Sequence, residues 1–194
     1  YVKGGFSVMA KFIPKTTKAI ELLAAKNASI YRMVSLYYKR LVKEEVALAN
    51  IRSTDKILCI GGGPCPFSGI LLHEYTNAHV TIADNDNCSV RIARELIRKL
   101  GYENSIKIIH GDGNDISPED YSVIHMAVQV SQLEQVFYHL KQGCRYGAKI
   151  LVRLPKKRLT KLYSINDRSM FQTCCAKAVH NLRNIDSTAL FIKS

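Results

Sequence analysis

Residues 56–69, KILCIGGGPCPFSG, run a short apolar stretch into Gly61, Gly62 and Gly63 and then into Pro64 and Pro66. A second apolar stretch, His79–Ala83, ends at Asp84, with Asn85 and Asp86 behind it. Strand, glycine turn, helix start, strand and acid is the order by which an open parallel sheet builds a nucleoside pocket at the carboxyl end of its first strand. Glycine lets the backbone approach a ligand closely and adopt positive φ. The start of the following helix offers unpaired N–H groups and partial positive charge. Asp84 stands about 21 residues past Gly63, the spacing of an acid that accepts ribose hydroxyls, and each such hydrogen bond is charge-assisted. Asp86 reads as a helix-capping residue, and the same capping role is the plainer alternative for Asp84. A dinucleotide fingerprint would place its third glycine where Pro66 stands, which weighs against a nicotinamide or flavin enzyme. No Gly-Lys-Ser/Thr follows, so the loop is not a phosphate-binding P-loop.

Other stretches carry less chemistry. GDGND, residues 111–115, is a turn by composition. HMAVQVSQ, residues 125–132, lacks the Asp-Pro-Pro-Tyr-like and Pro-Cys motifs of nucleic-acid base methylases. His125 in it reads as a strand residue of the core rather than a base. Ala127 and Gln129 are assigned to the cofactor side. No His/Cys/Asp set has metal-ligand spacing. Cys59, Cys65, Cys88, Cys144, Cys174 and Cys175 have neither metal nor disulfide spacing and read as reduced thiols of a cytoplasmic protein; Cys174 and Cys175 suit a strand.

These residues must be positioned by elements. Residues 15–26 read as a helix by propensity. A second helix over 30–49 has apolar residues at helical spacing and Ser29 as its N-cap. From residue 56 the pattern alternates: strands at 56–60, 79–83, 105–110, 121–128 and 147–154, and helices at 66–75, 88–100 and 132–140. Two further strands, 171–179 and 188–192, are joined by a polar turn with no helix and must be antiparallel. The expected fold is α/β, a mostly parallel sheet with an antiparallel last strand and N-terminal helices. The division is a helical segment over 1–50 and a cofactor-binding domain over 51–194. The sequence opens on Tyr1 rather than Met, and residues ahead of it are expected.

Five strand–helix units closed by an antiparallel hairpin, with GGGP, Asp84 and GDG at their turns, resemble the Rossmann-like class I S-adenosylmethionine-dependent methyltransferase sheet. The resemblance implies S-adenosylmethionine as cofactor, with Gly61, Gly62, Gly63, Pro64, Asp84 and Asn85 around its ribose and amino-acid end. It implies that Asp112 meets the adenine amino group while Gly111 and Gly113 let the backbone pass the ring. The loop Gly61-Gly62-Gly63-Pro64-Cys65-Pro66, with NDNCSVRIARELIRKLG and KILVRL, is closest to the nicotianamine-synthase-like branch. That branch moves the aminocarboxypropyl group of the donor rather than its methyl group. A tyrosine and a glutamate of the branch lie on the helix before the first strand, where this chain has Tyr37, Tyr38, Glu44 and Glu45. Packing of Tyr37 in the core and solvation of the glutamates is the plainer reading there. Arg153, ending the fifth strand, is suited to hold an acceptor carboxylate or to lie on the surface.

The net charge of +12 is uneven. Residues 1–50 carry +6, residues 51–144 carry −3 and residues 145–194 carry +9. Arg145, Lys149, Arg153, Lys156, Lys157, Arg158 and Lys161 have no acid among them. A solvated basic face is the ordinary reading; attraction for an anionic small-molecule acceptor or for RNA is the functional one. No apolar run approaches a membrane span of about 18 residues. Methyl transfer to a small molecule is the first expectation. Aminocarboxypropyl transfer and an RNA-binding or RNA-modifying module are the alternatives.

Overall fold

The structure, a computed structural model, describes residues 19–25, 27–163, 165 and 169–194. Seven strands form one sheet: β1 Lys56–Ile60, β2 His79–Asp84, β3 Ile106–His110, β4 Val123–Met126, β5 Lys149–Pro155, β6 Ala176–Val179 and β7 Ile185–Ile192. Their order is β3-β2-β1-β4-β5-β7-β6. The first five are parallel, while β7 runs antiparallel to both β5 and β6. This is the expected α/β methyltransferase-type sheet. The strand order reverses at β1 and β4, which opens a crevice beyond their carboxyl ends.

β1 reads KILCI because a central parallel strand is buried on both faces. Ile57 and Cys59 enter the core on one face, with Val80, Ile82 and the helices α1 Ala28–Ala49, α2 Phe67–Thr76 and α3 Asn87–Leu100. Leu58 and Ile60 enter the other, with Ile124, Met126, Ile150 and α4 Leu133–Gly143. Residues 19–25 are helical as expected; the rest of the expected first helix, residues 15–18 and 26, lies outside the described residues. α1 contributes Val42 and Ala49 to the core of the sheet.

Several local expectations are corrected. The N-cap of α1 is Asn27, not Ser29: the Asn27 Oδ1 accepts from the N–H of Ser29 at 2.9 Å and of Ile30 at 3.2 Å. β4 stops at Met126: the Ala127 N–H makes the last bond to β1, at the Ile60 carbonyl, and the Val130 N–H then bonds to the Ala127 carbonyl and turns the chain. The apolar run that reads as strand continues as a loop, so Gln129 lies past the strand end. Phe171 sits in a short 3-10 turn, Ser169–Phe171, and β6 begins only at Ala176, leaving Cys174 and Cys175 outside the strand. The basic run from Arg145 is not one face. Arg153 is interior, and Lys149 and Lys156 flank opposite ends of β5. No helix among the described residues is long and apolar enough to cross a membrane.

Candidate active site at the switch point

A cleft of about 400 Å³ lies beyond the carboxyl ends of β1, β2 and β4. It is lined by Gly61–Pro66, Asp84–Asp86, residues 111–113, 127–131, Tyr38, Arg153 and Glu21. Each of the expected cofactor-side residues is therefore at the cleft. Tyr37 is not. It is half exposed, and its hydroxyl donates to Asn184 Oδ1 at 2.7 Å. Adjacent helix residues point about 100° apart, so only one of the pair can face the cleft; that one is Tyr38.

The glycine loop has a steric reason. Gly61 and Gly63 take φ of +83° and +64°. A Cβ on Gly62 would come within 2.3 Å of the Ile82 side chain, and one on Gly63 would strike the Glu21 carboxylate. The N–H groups of Gly61 and Gly62 bond to the Ala83 carbonyl at 2.9 and 3.3 Å, which pulls the loop over β2. The close helix–strand packing that a third fingerprint glycine provides is supplied by Gly69, whose Cβ would meet Ile82 at 2.4 Å. Pro66 thus displaces that glycine without removing its function. Gly113 is required by packing against Val136, whereas a Cβ on Gly111 would meet only ordinary contacts.

Asp84 Oδ2 accepts from the Gly63 N–H at 2.7 Å and Oδ1 from the Asp86 N–H at 2.9 Å. Those two bonds fix the carboxylate at the cleft wall. Capping falls instead to Asp86, which accepts from the Ser89 N–H at 3.0 Å. Asp112 accepts from the N–H and side-chain amide of Asn114, each at 2.9 Å, and from Asn85 at 3.4 Å. The Asn114 backbone bond is the main reason its carboxyl is held below the usual range.

The inner end of the cleft is polar and buried. Glu45 on α1 is fully buried rather than solvated. Its Oε1 and Oε2 accept from Arg153 Nε and Nη2, each at 2.7 Å. Arg153 is therefore neither on the surface nor unpaired. Thr188 Oγ1 donates to Glu45 Oε1 at 2.7 Å, His180 Nε2 lies 2.9 Å from Thr188 Oγ1, and His180 Nδ1 lies 2.9 Å from Glu44. This strut ties α1 to β7 beside the cleft. Burial would raise the Glu45 carboxyl, but the Arg153 guanidinium holds it well below the usual range. Burial and the Arg153 charge lower His125 and keep it neutral. His125 is thus a core-strand residue whose edge reaches the cleft. Tyr38 stacks on Phe67 with 5.5 Å between centroids and carries Arg153 over its ring at 5.7 Å. Burial pushes its hydroxyl far up, so it stays protonated. Burial also pushes the Cys59 thiol up to about 12, which makes it inert.

Sequence reasoning missed Glu21 as a cleft residue and Glu45 as the partner of Arg153. Glu21 stands in a segment legible only as a helix former. Glu45 and Arg153 are 108 residues apart, and no spacing rule links them.

The family model for nicotianamine synthase protein matches residues 30–183. An L-histidine 2-aminobutanoyltransferase of Pseudomonas aeruginosa is 26% identical over 113 residues, 58% of this chain and 43% of that protein. The chain spans less than half the length of the curated relatives it matches. Among solved structures, a single-residue variant of MtNAS in complex with S-adenosylmethionine superposes with a TM-score of 0.82 at 21% identity, over 96% of this chain and 77% of that one. MtNAS in complex with MTA and tNA superposes with the same TM-score at 22% identity, over 97% and 75%.

Proposed function

The chain belongs to the nicotianamine synthase family, and from that premise we propose that it is a transferase that binds S-adenosylmethionine and moves its aminocarboxypropyl group to the amine of a small amino-acid-like acceptor. The name of the Pseudomonas relative, which describes an aminobutanoyl group passed to histidine, supports this over methyl transfer. The observation that carries the reading is the cleft itself. Asp84 is held by two backbone N–H groups at the carboxyl end of β2, next to a loop where a Cβ on Gly62 or Gly63 would collide with its surroundings. The residues present fit the cofactor on that ground. When bound, S-adenosylmethionine supplies a sulfonium leaving group beside an electrophilic carbon.

The chain's own residues then have assignable tasks. Asp84, with Asn85, accepts ribose hydroxyls, and its charge strengthens both bonds. Asp112 stands for the adenine edge. The loop from Gly61 to Pro64, with Ala127 and Gln129 across the cleft, shapes the space between. Tyr38, kept protonated, donates a hydrogen bond and orients the reacting ends. An amine must be neutral to attack, and Glu21 at the rim near Gly63 is placed to take its proton. We read the boundary at residue 50 as functional: α1 shares the core of the sheet and also brings Tyr38 over the cleft.

Product analysis tests the reaction. The protein is incubated with S-adenosylmethionine and L-histidine as acceptor probe, and the nucleoside is identified by mass spectrometry. Methylthioadenosine is the expected product. S-adenosylhomocysteine would establish methyl transfer instead.

A further inference from the structure

Cys174 and Cys175 are adjacent in the chain, and neither lines the cleft that the transferase reading uses. In a strand, neighbouring side chains point to opposite faces of the sheet, so two adjacent sulfurs cannot meet. The structure removes that bar. β6 begins only at Ala176, and the chain bends at Cys175 ahead of it. Cys174 is half-buried against the core, while Cys175 is exposed. The Cys175 N–H bonds to the Leu190 carbonyl at 2.8 Å, which fixes the backbone of the pair to β7. A cavity of about 350 Å³ opens at Cys174, and Leu154 and Phe171 give it an apolar wall. The other thiols differ. Burial raises those of Cys59, Cys65 and Cys144 and leaves them inert. Cys88 is exposed but has no cysteine next to it.

Adjacency decides what such a pair can do. Consecutive Cα atoms stand about 3.8 Å apart across a trans peptide, short of the roughly 4.4–6.8 Å of an ordinary disulfide. A disulfide closed between them is strained and readily reduced. One soft atom bridging both sulfurs closes a larger ring and avoids that strain. A zinc-type site wants three or four protein ligands, and no group of three His, Cys, Asp or Glu among the described residues could hold a metal ion. An ion that takes two sulfurs in line holds them on opposite sides, a span that adjacent residues reach poorly. Trivalent arsenic takes two thiols side by side. We propose that Cys174 and Cys175 form a dithiol site for a trivalent arsenical, with one arsenic atom bridging both sulfurs. For an arsenical of the form R–As=O, two S–H bonds break and two S–As bonds form. The oxygen leaves as water with both protons. Arsenic stays trivalent, so the step needs neither oxidant nor reductant. The organic group R lies against the Leu154 and Phe171 wall of the cavity.

The probe is phenylarsine oxide, added in equimolar amount to the reduced full chain and read by intact-protein mass spectrometry. The wild type is expected to keep one phenylarsenic adduct in excess 2-mercaptoethanol, a monothiol, and to release it to 2,3-dimercaptopropanol. Occupancy in the monothiol should fall at least tenfold in Cys174→Ser and in Cys175→Ser and stay unchanged in Cys88→Ser. A second measurement needs no variant. On the wild type, the arsenical should protect Cys174 and Cys175 from alkylation by N-ethylmaleimide, as located by peptide mapping, while Cys88 is alkylated as before. The proposal is overturned if no adduct survives the monothiol, if the adduct survives in either Cys174→Ser or Cys175→Ser, or if protection falls on other cysteines.

Discussion

At the scale of single residues, the cleft divides into what short-range spacing reveals and what it conceals. The glycine loop and Asp84 are legible because their work is local: a turn, a strand end and a carboxylate within one strand–helix–strand unit. Tyr38 is half legible. The helical pattern narrows the choice to two neighbours, and only packing against Phe67 and Arg153 decides between them. Glu45 is legible only as one of two glutamates matching the resembled branch; its burial is not, since a glutamate on a helix ordinarily faces water and its buried partner arrives from β5. Replacing Tyr38 with Phe keeps the stack on Phe67 and removes only the hydroxyl. S-adenosylmethionine binding is then expected to stay within about twofold while kcat falls at least tenfold, as for loss of a group that orients or polarises the reacting centre. Steady-state kinetics beside calorimetry reads both. Gly62→Ala acts differently. Its Cβ would sit 2.3 Å from Ile82, so the expected cost is about 1–3 kcal/mol of stability, read from urea unfolding.

At the scale of elements, strands and helices from residue 56 onward follow the hydrophobic pattern because parallel strands are buried on both faces and flanking helices on one. Boundaries depend on hydrogen bonds that pattern does not encode. The early end of β4 comes from the turn at Ala127, and the late start of β6 from the 3-10 turn at Ser169–Phe171. The cap of α1 depends on which polar side chain reaches back to the first turn. Asn27→Ala removes that cap and should cost about 1 kcal/mol, lowering Tm by a few degrees, whereas Ser29→Ala should leave Tm nearly unchanged. Differential scanning calorimetry separates the two. Because α1 carries Tyr38 and Glu45, the cap also bears on how firmly the cleft is closed.

At the scale of the whole molecule, the buried Glu45–Arg153 pair ties α1 to β5, with His125 of β4 packed beside it, and the Thr188 bond extends it to β7. Its response to pH has one sign. The Glu45 carboxyl is held below its unfolded value, so its contribution is full above the usual carboxylate range and is lost as pH falls below it. His125 is also lowered, so on acidification the unfolded chain takes up a proton that the folded chain resists, again costing stability below the ordinary imidazole value of 6.5. Denaturant midpoints should therefore fall from pH 7 toward pH 4, and the double variant Glu45→Gln/Arg153→Gln should show a shallower fall. The run of basic residues after Arg145 is where sequence misleads most about the whole. Strand β5 carries Arg153 inward and separates Lys149 from Lys156, so the charge does not form one face.

The central claim is that the cleft beyond β1 and β2 binds S-adenosylmethionine through Asp84. Calorimetric titration of S-adenosylmethionine into the wild type and into Asp84→Ala tests it directly. The account predicts saturable binding to the wild type that weakens at least tenfold in the variant. Absence of binding, or equal binding by both proteins, would contradict it.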